Sequence, residues 1–333
     1  MTAGAGVPGE RVGITSTVPI EVLLAAGLTP ADLNNLFIAG ADPEAAVARA
    51  EAAGFPRACC AWIKGIYDTA LAEGIRRVVV VTGGDCANGP AMAEVWAAAG
   101  VEVVPFAYPD GPDAGALAAA VARLAARFGV TAADAEAVYR RLAPVRARLA
   151  RVDELLWRTG QVTPREAYDR LIGASDFGGA AAAFDARLTA FLLDAERRPG
   201  RDAAVRLGLL GVPPITPGLI EACDELGAAV VFHEVPRQFA LLGGGADLAA
   251  AYTAYTYPYG VGPRLGDIRR AAAERRLAGV IHYVQTFCHR GIHDILLRRG
   301  LGLPVLTLEG ERPGPLSAQQ HLRLETFVEM LRA

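Results

Sequence analysis

The chain has 333 residues, 52% hydrophobic and 21% charged, with a formal charge of −3. That length exceeds what one hydrophobic core usually organises and predicts two α/β-sized domains. Acids and bases interleave, so no basic stripe exists to displace counterions from nucleic acid or an anionic membrane. The first thirteen residues lack a basic stretch followed by an apolar one, so no signal peptide is expected, and no run of about eighteen apolar residues is present to span a bilayer. The expected setting is cytoplasmic.

In chain order, Val12–Ile14 is a short apolar run, and Val18–Gly27 reads as a helix with Pro19 near its start and Gly27 closing it. Val78-Val-Val-Val-Thr82, bounded by Gly83 and Gly84, reads as a buried parallel strand. A helix over Pro90–Ala99 and a strand over Val101–Phe106 complete an N-terminal α/β unit, residues 1–112. Residues 113–202 are Ala-rich, with helical spacing over Asp113–Phe128 and Ala132–Trp157 and little strand signal. From 203 to 333 the α/β pattern resumes. Strands are expected at Val205–Leu210, Ala228–Phe232, Gly279–Gln285 and Pro304–Leu308, with helices at Leu219–Leu226, Gly291–Arg299 and Gln319–Leu331. The predicted architecture is α/β: two Rossmann-like doubly wound domains with a helical segment between them.

The chain has five cysteines, too scattered for a disulfide scaffold. Cys86 and Cys288 hold equivalent places, each a few residues past a buried strand, where open α/β sheets gather their ligands. Cys60 stands at the expected start of a helix, where the dipole favours thiolate. Three thiolates from three such ends suit a site-differentiated iron–sulfur cluster in the inter-domain cleft, leaving one iron open. The alternative for each is a small buried apolar residue, which is the reading for Cys223 inside an amphipathic helix. Cys59 and Cys60 are not distinguished by spacing.

Other candidates are weighed on their surroundings. His289 and His293 are four apart, so on one helix they would share a face as a zinc pair, or as a phosphate-facing pair. Lys64 is the only lysine among 33 basic residues. One helical turn beyond Cys60, it can face the same cleft as a cation for a CoA phosphate or for cluster charge. Arg237, after a strand, is a second candidate anion binder. Walker-type, dinucleotide-binding and nucleophile-elbow motifs are absent from the sequence.

Several segments together resemble the 2-hydroxyacyl-CoA dehydratase family, of the D-component type that includes benzoyl-CoA reductase subunits. They are Ile14–Gly27, Cys60-Ala-Trp-Ile-Lys-Gly65, Asp85–Trp96, Gly279–His289 and Pro304–Gly310. The resemblance implies a 4Fe–4S cluster held by Cys60, Cys86 and Cys288. It also implies an ATP-dependent iron–sulfur activator protein, an acyl-CoA substrate and a homo- or heterodimer with a related subunit. The implied reaction eliminates water from a 2-hydroxyacyl-CoA through a ketyl radical. Ser16 and Thr17 are then candidates to hydrogen-bond substrate or cluster, and Glu21 a candidate base. Lys64, Arg237 and His289 are candidate cofactor contacts. A reductase using the same cluster and a non-catalytic electron-transfer subunit are the alternatives. The chain departs from the family pattern at Asp85, which precedes Cys86 instead of following it, and lacks a further cysteine near Tyr255–Gly266.

Overall fold

A computed structural model describes residues 9–332. The first eight residues, on which the signal-peptide expectation partly rests, and Ala333 lie outside the described residues. Eight strands form two parallel four-stranded sheets. The first holds β1 (Arg11–Ile14), β2 (Thr29–Asp32), β3 (Arg77–Gly83) and β4 (Glu102–Ala107), in the order β2-β1-β3-β4. The second holds β5 (Val205–Gly211), β6 (Ala228–His233), β7 (Gly279–Gln285) and β8 (Val305–Gly310), in the order β6-β5-β7-β8. The two orders are the same, and in each the chain reverses direction across the sheet between its two central strands. Those two switch points, β1/β3 and β5/β7, are where a doubly wound sheet leaves a crevice beyond its strand ends.

The central strands are mostly apolar because helices cover both faces. Every residue of β7 is buried. In β3 the alternation of side chains sends Val79 and Val81 to one core and Val78 and Val80 to another. The second of these cores also contains Leu207, Leu209, Ile281 and Tyr283, so the two sheets share apolar packing. The first is filled by the middle of the chain, including Leu117, Leu124, Leu149 and Leu171.

Between Ala107 and Val205 the described chain contains helices and no strand, as its composition predicts. The expected helix over Ala132–Trp157 is divided. It stops at Arg141 and restarts at Ala143, with Pro144 in the first turn of the new helix, where a missing N–H costs nothing. Thr131 and Thr163 each cap a helix with a reciprocal capping box, Thr131 with Asp134 and Thr163 with Glu166. Strand β2 was not legible: Thr29-Pro-Ala-Asp32 carries proline and aspartate, both poor strand formers. It pairs as a strand because it lies at the sheet edge, where Pro30 needs no outer hydrogen bond. Among the described residues, no single helix is long and apolar enough to cross a membrane.

Candidate functional site

The carboxyl ends of β1, β3 and β7 and the start of the helix Ala61–Ala72 converge on one cavity of about 110 Å³. Ser16, Cys60, Cys86, Cys288 and His289 all line it, so five of the residues singled out from sequence come together. Cys86 lies three residues after β3 ends at Gly83, and Cys288 three after β7 ends at Gln285 (86 − 83 and 288 − 285).

Each cysteine is delivered by a tight local turn. After β3 the chain turns through Gly84 at φ +101°, and a Cβ there would meet Tyr108 Cβ at 3.0 Å and Pro258 O at 3.1 Å. Gly89 then opens the next helix so close to β3 that a Cβ would lie 2.1 Å from Val81 O. On the other sheet, Phe287 takes a left-handed φ of +66° just before Cys288, a conformation that costs a non-glycine residue energy. Cys60 and Cys288 are N-cap residues, of Ala61–Ala72 and of a 3₁₀ turn over His289–His293.

The three thiols share one electrostatic environment. Burial pushes the Cys60 thiol up to about 12 and the Cys86 thiol up to about 11, and it raises Cys288 as well. Backbone N–H groups oppose the rise at each sulfur: Ile63 and Trp62 at Cys60, Asn88 at Cys86, and Arg290 at Cys288. Each cysteine also lies within electrostatic reach of another, Cys60 of both Cys86 and Cys288. One buried thiol and two half-buried ones lining one cavity, with amides directed at the sulfurs, suit a positive centre that binds them as thiolates. Among the described residues, no three His, Cys, Asp or Glu side chains converge on a single metal-ion position. A 4Fe–4S cluster makes a different demand, since each cysteine binds its own iron. The donor set therefore fits a cluster better than a mononuclear zinc.

Several other candidates have surroundings that their spacing does not predict. His289 and His293 do not share a face: their turn is 3₁₀, with three residues per turn, so residues four apart diverge by about 120°. His293 Nδ1 instead lies 3.2 Å from Arg264 Nη1. Lys64 faces away from the cavity. Because Cys60 is a cap and not a helical residue, helical spacing does not align the two. Lys64 Nζ donates to Glu51 Oε1 at 2.7 Å and to Arg57 O at 3.3 Å, in a separate hollow that Cys59 and Arg312 also line. Of the adjacent cysteines, only Cys60 reaches the central cavity. Arg237 is paired with Asp267 and stacks 5.2 Å from the Phe232 ring, outside the cavity. Glu21 is fully buried among the middle helices, paired with Arg146 and accepting the Tyr252 hydroxyl at 2.9 Å, with no access to the cavity. Thr17 lies just behind the lining; its carbonyl accepts from Tyr108 Oη at 2.8 Å and its own hydroxyl has no partner.

The structure adds residues that sequence reasoning missed. Arg290, Tyr257, Gln285 and Trp62 line the cavity and are buried. Each has a buried polar atom without a hydrogen bond inside the protein: Arg290 Nη1, Tyr257 Oη, Gln285 Oε1 and Trp62 Nε1. An orphaned buried polar atom costs about 1–3 kcal/mol, so four around one cavity point to an occupant that satisfies them. Gln285, a polar residue at the end of a fully buried strand, was the one visible signal.

Two doubly wound lobes with a thiol-lined cavity at their paired switch points define an α/β protein whose candidate site lies at the strand ends of both sheets. Residues 15–331 match the family model for the 2-hydroxyglutaryl-CoA dehydratase D-component, and the chain belongs to that family of dehydratase-type enzymes. No curated protein sequence matches the chain.

Proposed function

We propose that the chain is a subunit of an iron–sulfur 2-hydroxyacyl-CoA dehydratase-like lyase, with Cys60, Cys86 and Cys288 holding a 4Fe–4S cluster. The observation that carries this reading is the convergence of those three thiols on one cavity, in a chain of the D-component family. When bound, the cluster would supply one-electron chemistry and an iron free to take a ligand. The reaction proposed is loss of water from a 2-hydroxyacyl-CoA through a ketyl radical, after one-electron activation by an ATP-dependent iron–sulfur protein. A related second subunit completes the assembly in this reading.

The chain's own residues have defined tasks. Ile63, Ile66, Val235 and Phe239 make apolar walls that keep water from the reacting centre. Arg290 Nη1, Tyr257 Oη and Trp62 Nε1 are free to donate, and Gln285 Oε1 to accept, so the wall can orient an oxygen-bearing substrate. Trp62 also lines a larger groove of about 740 Å³, which shares Asn35 and Ile172 with the cavity and gives a route for an extended acyl carrier.

The test is to purify the protein without oxygen and determine iron, acid-labile sulfide and the EPR spectrum after reduction. About four of each per chain with a reducible signal is the expected result. Zinc alone, or no metal after anaerobic reconstitution, overturns the proposal.

A further inference from the structure

Arg290 joins the two lobes at the cavity. It comes from the loop after β7, yet Nε and Nη2 donate to Asp85 O at 3.2 and 2.9 Å, and Nη2 to Gly84 O at 3.0 Å, in the loop after β3. Its guanidinium lies 4.2 Å from the centre of the Tyr257 ring, and the residue is only 4% exposed. Nη1 has no partner in the protein. The nearest carboxylate oxygen, Asp85 Oδ1, is 3.7 Å from Nη2, outside hydrogen-bond distance. The other arginine near Cys288 differs in this respect: Arg264 is bonded twice to Glu234 with both side chains fully buried, so its charge is balanced.

Arg290 and Asp85 are thus a loosely matched pair of opposite charges beside two cysteines. Both act on the Cys86 and Cys288 sulfurs, Asp85 disfavouring negative charge there and Arg290 favouring it. A cluster held by three thiolates gains one negative charge on reduction, and in a poorly solvated site a nearby fixed charge is weakly screened.

We infer that Arg290 is the fixed positive charge that sets the reduction potential of the centre held by Cys60, Cys86 and Cys288, with Asp85 opposing it. This rests on the cluster reading above. Arg290 is here a positioning and electrostatic residue, and no bond to it forms or breaks.

The experiment is a mediated redox titration of the anaerobically purified protein, with dithionite supplying one electron per cluster, followed by EPR. Arg290→Met is expected to lower the equilibrium constant for reduction about tenfold, which for one electron is about 59 mV towards more negative potential. Arg290→Lys, which keeps the charge but not the fork, should recover most of that shift. Asp85→Asn should move the potential in the opposite direction. A potential unchanged in Arg290→Met with the cluster retained overturns the inference. If Arg290→Met cannot hold a cluster, an unshifted Asp85→Asn overturns it instead. Absence of iron and sulfide from the unmodified protein sinks the underlying cluster reading, and this inference with it.

Discussion

Arg264 and Glu234 form a two-bond ion pair from which solvent is wholly excluded, with Nε–Oε1 at 2.8 Å and Nη2–Oε2 at 2.9 Å. Burial pushes the Glu234 carboxyl up, but the charge and hydrogen bonds of Arg264 outweigh it and hold the group below its ordinary value. Glu234 also accepts the Gly211 N–H at the end of β5, and Arg264 reaches His293 beyond Cys288. The pair therefore braces the loops of the second lobe. Glu234→Gln or Arg264→Met leaves one buried charge unpaired, with an expected loss of about 3–5 kcal/mol in denaturant unfolding. Replacing both by apolar residues of similar volume should cost much less.

Removal of Cys60, Cys86 or Cys288 singly should abolish the full complement of iron and sulfide, whereas Cys223→Ala should retain it. Cys223 is buried in the second core, away from the cavity. Equal retention in all four variants would show that the three thiols are not ligands.

Lys64→Met separates packing from cluster chemistry. Its partner Glu51, held to about 2 by hydrogen bonds from Lys64 and then Arg312, keeps Arg312 as a counter-charge at 2.8 Å. The expected result is a modest fall in Tm with an unchanged iron content; lost iron at unchanged Tm would return Lys64 to the site.

Asp176 provides a pH signature outside the lining of the cysteine cavity. Burial, then the nearby Asp32 carboxylate, raises its carboxyl to about 6. A raised acid binds its proton more tightly in the folded state, so its stabilisation is complete below pH 4 and is lost as pH rises to about 6. Asp176→Asn should remove that decline, read as the difference in Tm between variant and parent across pH 4–7. An identical slope in both proteins would contradict the assignment.

Gly89→Ala tests how the Cys86 loop is seated. The new Cβ would lie 2.1 Å from Val81 O, a backbone atom with no rotamer to escape into. A loss of about 1–3 kcal/mol or more is expected from such overpacking, with weaker cluster retention than the parent.

What was legible in the sequence follows from how locally each feature is determined. Val78–Val81 and Gly279–Gln285 announce themselves because a strand buried on both faces is mostly apolar. Cys86 and Cys288 could be paired from sequence because each sits at a fixed short distance beyond such a strand. Thr29–Asp32 was missed because its strand character comes from an edge position that only the assembled sheet supplies. That Glu21, Lys64 and Arg237 lie away from the cavity was not legible for a related reason. Their helices were found or implied, but which layer each helix turns towards depends on partners such as Arg146, Glu51 and Asp267, which are distant in sequence. Arg290 carried no signal at all, since one more arginine in a chain where 32 of 33 basic residues are Arg is unremarked.

The acceptors that hold Arg290 are the carbonyl oxygens of Gly84 and Asp85, which every amino acid possesses. Replacing the side chain at position 85 therefore changes the local charge without unfastening the lobes. Charge and architecture can thus vary independently at this joint.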